Sequence, residues 1–291
     1  MDLYDAAQYF DALDVTDAYT GAYLFTCQMD QYDSTERDSI TGWRRTCNAP
    51  QIVLPPRRVV RIDGDVFIAG RTVKDYFKNR PIREHLLLHP SDGLFTVGPA
   101  KEFLEEQPDM HQMYGALSFR KPFKEEGESS EFFSIYNIYI SLTEVVKRDT
   151  IVKSPEGVYY RVQNVETQTG YYKTIYAAEL ETPALLQVTY VPSSGVYDPV
   201  TDSSGAGVPI ITNAFLERYQ TNYRYMTWAA DKFRNGDKVL TISQQDVTAP
   251  TNNDRVTAGG VDYRVLSVQS DGFGSWELHL RAAEFNLTVG P

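Results

Sequence analysis

The chain has 291 residues, 42% hydrophobic and 23% charged, which places it among globular proteins and excludes wholesale disorder. Its length suits one large domain or two of ordinary size. With 28 Lys and Arg against 39 Asp and Glu, net −11, it lacks the basic face that wraps nucleic acid through its phosphates.

No apolar run approaches the roughly 18 residues that suggest a membrane span. The acidic start, MDLYDAAQYFDALDV, reads as neither a secretory signal nor a transit peptide. Two cysteines, Cys27 and Cys47, exclude a disulfide-rich framework, fit no zinc spacing and are expected as reduced thiols. The 20 Tyr and 14 Phe, punctuated by 19 Gly and 15 Pro, favour pleated, half-buried surfaces. The fold class expected is therefore mainly β: tandem small antiparallel β-barrel or sandwich modules, with long loops and a few short helices.

Charge is unevenly placed. Residues 1–36 hold eight carboxylates and no Lys or Arg. Residues 57–83 hold Arg57, Arg58, Arg61, Arg71, Lys74, Lys78, Arg80 and Arg83 against only three aspartates. Such runs are commonly solvated faces. They could also pair within one chain or between neighbours, which makes Arg57, Arg58, Arg61, Arg71, Lys74 and Arg83 a candidate inter-subunit stretch.

In chain order, Leu3, Ala6, Phe10 and Leu13 have helical spacing behind a capping Asp2. Residues 27–56 read as loop, so 1–57 is expected to be an arm. Short strands begin at Arg58, with a turn at Asp63-Gly64. Residues 99–117 read as a helix that Pro108 breaks in two. KEEGESSE (124–131) reads as a polar turn, and FFSIYNIYISLTEVV after it as a long strand.

A repeat follows. Residues 148–181 and 253–284 share an Asp, a Val-bearing strand, a Gly turn and then Tyr-Arg-Val-x-x-Val, carried by Tyr160, Val162 and Val165 in one copy and by Tyr263, Val265 and Val268 in the other. Each has another apolar strand ten residues on, at Ile175 and Leu278. Residues 58–90 are a candidate third, degenerate copy. Between the two clear copies, 192–209 is a long Ser/Gly/Asp/Pro loop, of a kind that is usually functional or mobile. The domains expected are 1–57, 58–182 and 183–291.

Chemistry-bearing motifs are sparse. There is no G-x-S-x-G elbow and no glycine-rich phosphate cradle. His85 and His89 have no third metal ligand nearby and read as packing residues. Asp198 and Asp202 lack the alternating-ligand pattern of a calcium loop. No enzyme and no cofactor is expected.

Residues 185–284 resemble the head–tail joining (head-closure or stopper) proteins of tailed bacteriophages. The resemblance rests on the Tyr197-Asp198-Pro199 loop, the Gly236-Asp237 turn into a strand, and the hairpin carrying Gly260, Tyr263, Val265 and Val268. It covers about a third of the chain; family members are about the size of that module alone, and here some 180 residues precede it. The resemblance implies a virion protein of the phage neck, assembled in the host cytoplasm as a homo-oligomeric ring of twelve or six. Its implied partners are a portal or adaptor protein, tail proteins, and DNA passing through the lumen without sequence-specific binding, with no membrane partner. An acidic lumen would let DNA pass without sticking. The loop with Asp198, Asp202, Gly205 and Gly207 is the candidate lumen gate. The alternative is a tail-associated receptor- or glycan-binding β module stacking sugars on Trp43, Trp228 or Trp276, or a tail nozzle or terminator component.

Overall fold

The computed structural model describes residues 12–31, 45–49, 52–77, 80–107, 110–120, 135–168, 172–180, 185–198, 203–218, 234 and 236–283. They are mainly β. Three antiparallel barrels close, each from six strands, and closure leaves a barrel no free edge.

The first barrel is built from Leu13–Asp17 (β1), Tyr23–Gln31 (β2), Arg45–Ala49 (β3), Val59–Ile62 (β4), Asp65–Phe77 (β5) and Arg80–Pro90 (β6). Its circular order is β1-β2-β3-β6-β5-β4. Gly93–Gly98 (β7) begins the second barrel, and a one-turn helix, Ala100–Leu104 (α1), follows it. The barrel continues with His111–Arg120 (β8), Ile135–Ser141 (β9), Ile151–Lys153 (β10), Tyr159–Gln168 (β11) and Tyr172–Glu179 (β12), in the order β7-β8-β9-β12-β11-β10. The third opens with Leu186–Val191 (β13). A separate two-stranded ribbon, Ser193–Asp198 (β14) and Ser203–Ala206 (β15), is inserted there. Ile210–Arg218 (β16), Lys238–Ser243 (β17), Arg255–Ala258 (β18), Val261–Ser270 (β19) and Ser275–Ala282 (β20) complete it, in the order β13-β16-β17-β20-β19-β18.

One circular order, 1-2-3-6-5-4, therefore occurs three times. The repeat seen in the sequence is the 4-5-6 half of the second and third barrels, and residues 58–90 hold the same half of the first. Hydrogen bonds fix the equivalence. The Val162 N–H donates to Thr150 O at 2.9 Å, as the Val265 N–H does to Asp254 O at 2.8 Å. The Ala69 N–H does so to Arg58 O at 2.8 Å. Tyr160 and Tyr263 thus hold the same place, both buried, beside the fully buried Val162 and Val265. Each repeat bends before its fourth strand at a residue with positive φ: Arg58 (50°), Asp149 (68°) and Asn253 (78°). Arg161 and Arg264, matched in the repeats, both turn back to that residue, on Asp149 O at 3.3 Å and on Asn253 Oδ1 at 3.0 Å. The expected Asp63-Gly64 turn has φ of 49° and 86°, the left-handed pair that joins twisted strands tightly.

Alternation fills each barrel. In the first, Val15, Phe25, Cys27, Val60, Ile62, Phe67, Ala69, Leu86 and Leu88 point inward. In the third, Val188, Tyr190, Leu216, Leu240, Ile242, Val256, Tyr263, Val265, Leu278 and Leu280 do so.

Three expectations are corrected. The described part of 1–57 is not an arm: β1–β3 supply half of the first barrel, and a boundary at 57/58 would cut that barrel between β3 and β4. The reason is that Val15, Phe25 and Cys27 are core residues in strands whose outward positions are polar. The helix expected after Pro108 is the strand β8, because Met113 and Ala116 are buried on opposite faces and Gly115 passes close to Phe95. The stretch 192–209, expected as a long loop, contains the paired strands β14 and β15. The helix expected over 2–13 and the turn at 124–131 lie outside the described residues, Leu13 apart.

The described residues form two compact units. One lies within residues 1–97, 112–156 and 161–178; the other takes 98–111, 157–160 and 179–291. The segment with α1 therefore belongs with the third barrel. There Phe103, Tyr159 and Phe215 stack edge to face or tilted, with centroids 5.3–6.4 Å apart, over the outer face of the sheet. Ser243 Oγ donates to Glu105 at 2.7 Å beside them.

Candidate assembly surface

The ribbon is tied down at its base. Asp254, 1% exposed, sits just before β18. Its carboxylate accepts from the Ser193 N–H at 2.6 Å, from the Thr251 N–H at 2.5 Å, from Thr251 Oγ1 at 2.9 Å and from the Tyr190 hydroxyl. Burial, then the hydrogen bond and charge of Asp254, push the Tyr190 hydroxyl well above the usual phenol range, so it stays a donor. Opposite, the Gly207 N–H donates to Pro192 O at 2.8 Å, and a Cβ on Gly207 would meet that oxygen at 3.1 Å. A side chain at 207 would crowd this oxygen, which glycine does not. Val208 (82% exposed) and Ile211 (66% exposed) flank the base as apolar side chains facing solvent.

Of the candidate gate residues, Asp198 ends β14 and pairs with Ser203; Gly205 lies in β15; Gly207 closes the base. Asp202 and Pro199 lie outside the described residues.

A second polar cluster closes the opposite part of the same barrel. Asp237, 3% exposed, accepts from Arg281 Nε at 2.9 Å and Nη2 at 2.8 Å, and from the Arg234 N–H at 2.9 Å. His279 Nε2 lies 2.6 Å from it. Burial opposes the Asp237 charge, but the Arg281 guanidinium, the Arg234 N–H and His279 outweigh it and hold the carboxyl below its usual range. This cluster extends the Gly236-Asp237 turn of the resemblance; its partners on β20 were invisible in the local sequence.

The basic stretch is woven into the first barrel. Arg57 stacks on the Tyr19 ring at 4.6 Å, and its carbonyl accepts from Ser141 Oγ. The Arg58 carbonyl closes a turn onto Ala69; Arg61 reaches the Tyr114 hydroxyl at 3.3 Å. Arg71 and Lys74 lie on β5, with Lys74 exposed, and Arg83 on β6 opposite Asp75. The acidic segment does pack on this stretch, but by backbone pairing: Val15, Thr16 and Asp17 of β1 pair with Ile62, Arg61 and Val60 of β4. Tyr19, just past β1, donates to Glu144 at 2.8 Å and accepts the Tyr114 N–H at 3.1 Å.

Other expected sites resolve as packing. His89 lies on β6, its ring 5.1 Å from Tyr139. Cys27 is a buried free thiol. Trp276 is half-buried against the third core and donates to Val247 O at 2.8 Å. Trp43 and Trp228 lie outside the described residues. Among the described residues no three His, Cys, Asp or Glu side chains gather as a metal would need. No described helix is long and apolar enough to cross a membrane. No protein-family model, curated protein or solved structure matches the chain.

Proposed function

We propose that this chain is a structural virion protein, forming a ring in the neck of a tailed bacteriophage between portal and tail, where it helps to seal and guide the DNA channel. The observation that carries the reading is the third barrel. The segments that resemble head–tail joining proteins fold there as one closed barrel, with a ribbon inserted between its first two strands. Both buried polar clusters of that barrel, around Asp254 and Asp237, have their hydrogen-bonding and ionic partners in its own strands and turns. Those polar groups hold shape. A protein whose polar groups serve shape suits an assembly role without catalysis or cofactor. The net charge of −11 suits a channel wall that polyanionic DNA must slide past. In a ring, symmetry brings the ribbon of every subunit around one axis, where several together can obstruct a channel.

Native mass spectrometry and negative-stain microscopy of the purified full chain, alone and mixed with portal rings, test this. A closed cyclic assembly is expected in at least one condition. A chain that stays monomeric in both refutes the reading.

A further inference from the structure

We propose that the ribbon base and β19 of the third barrel dock on the first barrel of a second copy of this chain. The inference deepens the ring reading and rests on it for the closed geometry. Its ground is a contact that the molecule already makes twice.

The connection between the first and second strands is different in each barrel. In the first it is a tight turn, in the second the α1 segment, in the third the ribbon. The first connection lies on the second barrel: Tyr19 bonds Glu144 and the Tyr114 N–H. The second lies on the third barrel: Phe103 packs on Phe215, and Glu105 accepts from Ser243. The receiving points match. Ser141 and Ser243 each end a third strand, opposite Tyr172 and Ser275 of the sixth, and both are fully buried. Each hydrogen-bonds a segment that precedes its own barrel, Arg57 O for one and Glu105 for the other. The covered face matches too. Ala116 and Phe215 stand at the same outward place on the second strand, opposite Tyr139 and Thr241 of the third. Both are 0% exposed. Ala116 lies in one cluster with Ile68 of β5 and Leu87 of β6; Phe215 lies beneath Tyr159 of β11.

At the base of the third connection, Val208 and Ile211 are exposed. Arg264, at the place that Ile68 occupies in the first barrel, is exposed as well. On the first barrel, Gln28 holds the outward place of Ala116 and Phe215, since Cys27 faces Leu13 as Ala214 faces Leu186. Gln28 keeps partial exposure where Ala116 and Phe215 have none, and Tyr23 on the same strand is 61% exposed. A donor surface and a different acceptor surface on one molecule make a head-to-tail contact, which closes a ring when the rotation allows.

The test places a photo-crosslinking side chain at 208 or 211 in the full chain, mixes isotope-labelled with unlabelled protein, assembles it and maps the mixed-isotope links. Links to residues 23–31 of the other copy are expected. A second measurement uses Val208→Asp with Ile211→Asp. Both side chains face solvent in the single chain, so its melting should hold, while a charge buried at the contact should weaken self-association at least about tenfold. Rings whose links map elsewhere, or rings unchanged by the double substitution, overturn this inference and leave the ring reading standing. Protein that never self-associates, with or without portal rings, overturns both.

Discussion

At the scale of single residues, two buried carboxylates decide how the third barrel is held. A buried carboxyl group is tolerable only when its oxygens are hydrogen-bonded, and Asp237 and Asp254 meet that condition with four polar contacts each, the Arg281 guanidinium among those of Asp237. Asp237→Asn keeps the shape but removes the charge facing Arg281 and His279. A loss of about 3 kcal/mol at neutral pH is expected, read from urea melts. The folded Asp237 carboxyl titrates below its ordinary value. Its stabilisation is therefore full above the unfolded value of about 4 and is lost as pH falls through the depressed folded one. The gap between wild type and Asp237→Asn should accordingly narrow between pH 5 and pH 2; a constant gap would sink the linkage. Asp254→Ala strips partners from Tyr190, Ser193 and Thr251 at once. It should cost about 2–4 kcal/mol and raise amide exchange first at Ser193, at the base of the ribbon.

At the scale of elements, β1 shows why closure matters. It pairs with β2 on one side and β4 on the other, and it is the strand that shuts the first barrel. Removing residues 1–20 would open two edges and uncover a core from which Val15 is gone. Such a truncation should lose the cooperative melting of the first barrel and aggregate; a truncated chain with an unchanged melt would show that β1 is dispensable. The sequence signals were uneven for physical reasons. The Tyr-Arg-Val-x-x-Val hairpins were legible because strand, turn and strand are neighbours, and the glycine turns announce themselves through φ. β1 was not legible, because LDVTD has only two apolar side chains, Leu13 and Val15, and owes its strand state to β4, far along the chain. The ribbon was missed for a related reason. Ser-Ser-Gly composition has little β preference, and what orders its base is Asp254, sixty-one residues beyond Ser193. The Asp237 cluster was half legible: the Gly-Asp turn stood out, while His279 and Arg281 meet it only once β20 pairs with β17.

At the scale of the whole molecule, repeats in the chain and compact units in space do not coincide. The unit containing the third barrel takes not only residues 179–291 but also 98–111 and 157–160. The outer face of β16 and β17 explains this. Phe215, Val239, Thr241 and Ser243 are all buried there, and Phe103, Glu105 and Tyr159 are among the groups that cover them. A fragment of residues 183–291 keeps every strand of the barrel but bares that face. Exposing Phe215 alone forfeits about 2 kcal/mol of apolar burial, and the polar rows beside it lose their cover. The fragment should therefore melt well below the corresponding transition of the full chain and bind a hydrophobic dye. Phe103→Ala in the full chain should reproduce part of the effect, about 3 kcal/mol, with the first unit unaffected. A fragment 183–291 as stable and dye-silent as the full chain would mean that the third barrel is self-sufficient, and that the α1 segment rests on it without holding it.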